Sequence, residues 1–216
     1  MLYRLAKIVS APFLHLLWPT RATGVEHVPV TGPAILASNH LSVLDSTFLP
    51  LVVPRQVRFV AKQEYFTGNP VTAAWMRATG QIAIDRQSPT AAQDMLDAAA
   101  RVLKDGGLFG IYPEGTRSPD GRLYRGKIGV AWLALATGAP VLPVAMAGTD
   151  RVLPIGATVP RLGRVEVRIG EPMTFTGSES SARDRRRVTD EIMAAIQRLS
   201  GQEYVAAYAP RRTSED

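Results

Sequence analysis

The sequence predicts one α/β domain, a largely parallel or mixed central sheet flanked by helices, with an N-terminal amphipathic helix. One observation predicts the class and two others bound it. Short apolar runs alternate with helix-length stretches along the chain, the pattern of strands joined by crossover helices. A chain of 216 residues with 46% apolar and 20% charged residues has the composition of an ordinary globular domain and the length to bury a core. There is also no cysteine, so disulfides, thiolate metal sites and a cysteine nucleophile are excluded, and a reducing compartment fits.

Strands are expected at residues 34–38, 57–61, 81–84, 108–112, 141–147 and 165–169, each an apolar or alternating run between turn residues. Helices are expected at 43–53, 70–79, 91–104, 127–137 and 183–199. In the last, Val188, Ile192, Ala195, Ile196 and Leu199 recur at helical spacing, while Arg183, Arg185, Arg186 and Arg187 read as a solvated face. Residues 2–18 are strongly apolar but carry Arg4 and Lys7, and Pro12 interrupts them, leaving a stretch too short to span a bilayer. On a helical wheel Arg4, Lys7, Ala11 and His15 share one stripe. That fits both an interfacial helix and one packed on its own domain. No A-x-A-like site follows, which argues against a signal peptide. The expected organisation is one domain over residues 1–209, with 1–18 a membrane-proximal helix and 210–216 a polar tail.

The net charge is +6 and the pI about 10.0. Such a surface favours phosphates, on a metabolite or an anionic membrane. No basic helix-turn-helix and no interleaving of aromatic with basic residues speaks for nucleic acid. The three histidines, His15, His27 and His40, share no metal-ligand spacing, so no metal site is expected.

Two segments carry chemistry. In Asn39-His40-Leu41-Ser42-Val43-Leu44-Asp45 a histidine precedes a carboxylate by five positions. On one regular helix the two would diverge by roughly 140°, so they meet only if His40 lies in a loop and Asp45 in the first helical turn. Ser42 would then be the N-cap and Asp45 the N3 residue. Asp45 would fix the imidazole tautomer and leave the other ring nitrogen to take a proton from a hydroxyl. The plainer alternative is that Ser42 and Asp45 merely form a capping box. No G-x-S-x-G elbow offers a serine nucleophile.

In Tyr112-Pro113-Glu114-Gly115-Thr116-Arg117-Ser118, Gly115 permits a tight turn and Arg117 can grip an anion bidentately. Thr116, Ser118 and backbone N–H groups can donate to it. Glu114 is expected to orient an arginine or a substrate hydroxyl. Gly80-Gln81-Ile82-Ala83-Ile84-Asp85-Arg86 ends another strand with an arginine beside an aspartate. The run Gly121–Lys127 has P-loop spacing, but Ile128 stands where a Mg²⁺-binding Ser or Thr is needed and a turn, not a strand, precedes it.

In this order, Asn39-His40 with Asp45, Gly80 to Arg86, Pro113 to Ser118 and Val141-Leu142-Pro143-Val144 resemble the four sequence blocks of the glycerolipid acyltransferases, most closely the bacterial lysophosphatidic acid acyltransferases. Tyr112 stands where phenylalanine is commoner. The resemblance implies transfer of a fatty acyl group from an acyl thioester to the free hydroxyl of lysophosphatidic acid, in phospholipid biosynthesis. His40 would be the general base and Asp45 its partner. Arg86, Glu114, Gly115, Thr116 and Arg117 would bind the acceptor. The resemblance implies no cofactor beyond acyl-coenzyme A (or acyl carrier protein) as the donor, and peripheral attachment to the cytoplasmic face of the cell membrane. Another lysophospholipid, glycerol 3-phosphate or a glycolipid are alternative acceptors, and an esterase or thioesterase is the rival class.

Overall fold

A computed structural model describes residues 2–85 and 88–210 of the chain. Arg86 and residues 211–216, with most of the expected polar tail, lie outside the described residues. Helix α1 (Leu2–Leu17) leads into strand β1 (Thr20–Thr23) and a 3-10 turn (Val25–His27), then β2 (Ala34–Ser38) and α2 (Asp45–Val52). Next come β3 (Val57–Arg58), β4 (Val60–Lys62), α3 (Glu64–Thr67), α4 (Pro70–Ala78), β5 (Ile82–Ile84) and α5 (Ala91–Lys104). Strands β6 (Leu108–Ile111) and β7 (Leu123–Tyr124), helix α6 (Gly129–Thr137), β8 (Val141–Ala147), α7 (Thr149–Val152), β9 (Val165–Ile169), α8 (Ala182–Ser200) and β10 (Tyr204–Val205) complete it.

The main sheet runs β1-β9-β8-β2-β6-β3, parallel except where β8 meets β9. The sheet is therefore mixed. Strands β2, β6 and nearly all of β8 are buried on both faces, which is why they read as unbroken apolar runs. Alternation splits their side chains between two cores. Ile35, Ala37, Phe109 and Val141 join residues of α5, α6 and α8, whereas Ala34, Leu36, Leu108 and Leu142 join residues of α2. In β9 Val165, Val167 and Ile169 point inward and Glu166 and Arg168 outward, so that strand alternates.

The expected strand at 57–61 divides. Val57 pairs with β6, but at Phe59 the chain leaves the main sheet and β4 pairs with β5 instead. At that point Phe59 is buried over Gly110, where an added Cβ would stand 2.2 Å from the Phe59 ring. The expected helix at 43–53 begins only at Asp45. Within the run Gly121–Lys127, Leu123–Tyr124 pairs with β10, and the Lys127 N–H donates to the Pro113 carbonyl (2.7 Å), so the run braces the 113–118 loop.

Helix α1 continues through Pro12, and its orientation inverts the usual logic of an amphipathic helix. Lys7 turns inward, donating to the Pro50 and Val53 carbonyls at the end of α2, where the helix dipole favours a cation. Leu5, Ile8, Val9, Phe13 and Leu16 are left exposed. Among the described residues no helix is long and apolar enough to cross a membrane.

Candidate active site

Strands β2 and β6 lie side by side in register from Ala34–Leu108 to Ala37–Ile111. Their carboxyl ends therefore release the two chemistry-bearing loops at the same edge of the sheet, where α/β proteins hold their ligands. Asn39 anchors the first loop. Its amide donates to the Met146 carbonyl (3.0 Å) and to Gln202 (2.8 Å), and its Oδ1 accepts the Met146 N–H (2.7 Å).

His40 leaves the strand in a non-helical loop, and Asp45 opens α2, as the spacing argument required. The two meet at 2.9 Å, His40 Nδ1 to Asp45 Oδ2. The same carboxylate oxygen accepts the backbone N–H groups of Leu41 (2.7 Å) and Ser42 (2.9 Å). One fully buried carboxylate thus holds both the imidazole and the loop ahead of α2, whose own N-cap, Leu44, receives no side-chain hydrogen bond. Ser42 itself departs from expectation. Its hydroxyl donates to the Leu153 carbonyl (2.8 Å) while accepting the Leu44 N–H (3.4 Å), and the helix starts later than expected, with Leu44 as N-cap and Asp45 its first residue rather than N3. The remaining oxygen of Asp45 accepts a hydrogen bond from Thr149, a buried hydroxyl 104 positions along the chain.

With Nδ1 engaged, Nε2 is the ring nitrogen left to meet a substrate. The His40 side chain is 16% exposed and lines a cavity of about 470 Å³. One face of its ring lies on Tyr112, with centroids 3.8 Å apart and planes 9° from parallel.

The second loop holds the first by its backbone. The Ser118 N–H donates to the His40 carbonyl (2.7 Å), and the His40 N–H donates to Glu114 Oε2 (3.2 Å). The other oxygen of Glu114 accepts the Tyr124 N–H (2.9 Å). Glu114 thus departs from the expectation that it would orient an arginine or a substrate hydroxyl. It is 1% exposed and clamps two main-chain segments, because a carboxylate this deep must be satisfied by the donors that surround it. Ser118 is likewise buried and occupied with its own turn, donating to the Arg122 carbonyl (2.7 Å). Gly115 takes a φ of +73°, and the Lys127 side chain packs where a Cβ would be. Thr116 sits half-buried beside them.

Burial pushes the Glu114 carboxyl up to about 7 against the pull of its two N–H donors, with nearby Asp45 and Asp120 adding a smaller rise. A raised carboxyl means that the folded state binds the proton more tightly than the unfolded one. Its stabilising contribution is complete below about 4.5 and is lost as pH rises through about 7. Glu114→Gln is expected to remove this dependence. Melting curves across that window should show the wild type losing stability relative to the variant as pH rises.

The cavity beside His40 runs between α1, α2 and α4. Apolar and aromatic side chains such as Leu14, Leu51, Phe59, Trp75 and Met76 form much of its wall. Arg117 and Lys62 line it too, so one space offers an imidazole, cationic groups and a long apolar wall.

Comparison with known proteins follows the same lines. The family model described as Acyltransferase matches residues 20–147, more than half of the chain. The chloroplastic 1-acyl-sn-glycerol-3-phosphate acyltransferase BAT2 of Brassica napus is 32% identical over 89% of this chain and 56% of its own length. The chloroplastic LPAT1 of Arabidopsis thaliana, of the same printed activity, is 30% identical over 88% and 53%. The chain therefore spans about half the length of these plant relatives. The crystal structure of the LPA acyltransferase PlsC of Thermotoga maritima superposes with a TM-score of 0.72 at 30% identity, covering 92% of this chain and 79% of that one. On fold and sequence together, the chain belongs to the Acyltransferase family.

Proposed function

We propose that this protein transfers a fatty acyl group from acyl-coenzyme A to the free hydroxyl of lysophosphatidate, forming phosphatidate at a membrane surface. The observation that carries the reading is the His40–Asp45 pair at the wall of a cavity that also presents Arg117. Relatives named as 1-acyl-sn-glycerol-3-phosphate acyltransferases support the choice of acceptor.

In this reading His40 Nε2 takes the proton of the acceptor hydroxyl as its oxygen attacks the thioester carbonyl. Asp45 at Nδ1 stabilises the imidazolium that forms. The tetrahedral intermediate collapses, the C–S bond breaks, and the imidazolium returns the proton to the sulfur. An ordinary thiol has a pKa of about 8.5, so the thiolate leaves without a strong acid. No enzyme nucleophile and no cofactor is needed. The apolar wall takes an acyl chain, and Arg117 faces the acceptor phosphate. Gly115 and Thr116 shape the turn that presents Arg117, and Glu114 positions His40 through its backbone. Arg86 is proposed as a further acceptor contact on the sequence resemblance alone. The exposed apolar residues of α1, together with Val71 and Trp75 of α4, form the surface that meets the bilayer, on its cytoplasmic face.

The test is a panel of acceptors assayed against one acyl-coenzyme A, and against the acyl carrier protein thioester, with the lipid product identified by mass. Lysophosphatidate should be acylated in preference to lysophospholipids without a terminal phosphate and to glycolipids. Arg117→Ala should raise KM for lysophosphatidate by roughly tenfold or more, the loss of a charge-assisted hydrogen bond worth about 1.5–3 kcal/mol. Equal losses on phosphorylated and unphosphorylated acceptors would remove Arg117 from the phosphate.

A further inference from the structure

The reading above leaves Tyr112 without a role, and the geometry around it is specific. Its ring lies 3.8 Å from that of His40 at 9°, and on its own side it meets Phe59 at 5.6 Å and 18°. Three rings therefore form one near-parallel column. Gly110 seats the far end of that column, since any Cβ there would overlap Phe59. The middle ring is tied down by a hydrogen bond of 2.8 Å between the Tyr112 and Ser46 hydroxyls. Ser46 follows Asp45 in the first turn of α2. One turn of helix thus fixes both the edge of the imidazole, through Asp45, and the ring beneath its face.

The stacking is informative in itself. Neutral aromatic pairs prefer offset or edge-to-face arrangements over a close face-to-face sandwich. A cation over an aromatic face is attracted by the ring quadrupole. The Tyr112 face lies where it can support the charge that His40 carries while it holds the acceptor's proton.

We infer that Tyr112 is a positioning residue for acyl transfer, holding the His40 ring in the plane that aims Nε2 into the cavity and stabilising the imidazolium formed there. The Tyr112 hydroxyl, bonded to Ser46, locks the column to α2. This rests on His40 serving as the general base. Asp45 alone fixes one ring edge and leaves rotation about the Nδ1 bond. The stack removes that freedom.

The experiment compares Tyr112→Leu and Tyr112→Phe with wild type in kcat and KM for both substrates, alongside proton NMR of the His40 ring. The wild-type resonances, assigned by their loss in His40→Ala, should carry the upfield ring-current shift of a stacked tyrosine. Tyr112→Leu should lose that shift and lower kcat by about 10²-fold, the cost of a modest misplacement of a reacting group, with KM nearly constant. Tyr112→Phe should keep the shift and return kcat to within about threefold of wild type, the loss of one hydrogen bond. If Tyr112→Leu does not fold, Tyr112→Met takes its place with the same expectations. Unchanged kcat in a variant that has lost the shift would overturn the inference. So would a rise in KM at constant kcat, which would make Tyr112 a wall of the substrate cavity. A wild-type protein that carries the shift but transfers no acyl group would instead count against the proposed reaction.

Discussion

His40→Ala is expected to lower acyl transfer by about 10²–10⁴-fold, the usual worth of a general base, and to leave the fold standing. The structural half of this expectation follows from where His40 makes its bonds. The loop is held by the His40 N–H to Glu114 and by its carbonyl from Ser118, and alanine keeps both. The Leu41 and Ser42 N–H groups still find Asp45. What is lost is the side chain, its stack on Tyr112 and its Nδ1 contact, costing about 0.5–1.5 kcal/mol from the stack. A melting temperature a few degrees below wild type with transfer reduced to background is the expected pair of results. Full unfolding would instead mean that the ring is structural.

Asp45→Asn is the second large effect, and it separates the two duties of that residue. Asparagine can turn its carbonyl oxygen to the donors of Leu41, Ser42 and His40, and its NH₂ to Thr149, whose hydroxyl can rotate to accept. The loop contacts survive. The negative charge proposed to stabilise the imidazolium does not, and a loss of up to about 10⁴ in kcat has precedent in the corresponding change in a serine protease triad. Asp45→Ala should behave differently. It leaves two buried N–H groups without acceptors, at about 1–3 kcal/mol each, so destabilisation should accompany inactivity. Denaturant melts of the two variants, set beside their kcat values, check this. An Asn variant as unstable as the Ala variant would indicate that the charge serves the fold.

Much of the fold could be read from residue pattern because the central strands are buried on both faces. Runs such as Ala34–Ser38 and Val141–Ala147 have no other use for so many apolar residues in a row. β9 was legible for the opposite reason, its strict alternation. The edge strand β1, Thr-Arg-Ala-Thr, and the two-residue strands β7 and β10 were not, since their sequences carry no periodicity and their pairing is decided by distant partners. The seat of the Phe59 ring depends on the absence of a side chain at Gly110, a pairing that local sequence does not reveal.

The site divides in the same way. The spacing of His40 and Asp45 forced a loop-then-helix geometry, and the structure has it. The supporting contacts were out of reach. Thr149 sits in an ordinary Gly-Thr-Asp helix start with nothing to mark it as a partner of Asp45. Glu114 binds main-chain N–H groups, which leave no signature in sequence because every residue but proline has one. The inward turn of Lys7 is settled by the carbonyls at the end of α2, so a helical wheel drawn on α1 alone left open which face packs on the domain.

The most direct test of the central claim measures thiol release from palmitoyl-coenzyme A, with and without lysophosphatidate, for wild-type and His40→Ala protein. Release is expected only when wild-type enzyme and acceptor are both present, matched one for one by phosphatidate. Release that continues at the wild-type rate in folded His40→Ala protein would contradict that claim. Release without acceptor, dependent on His40, would make the protein a thioesterase.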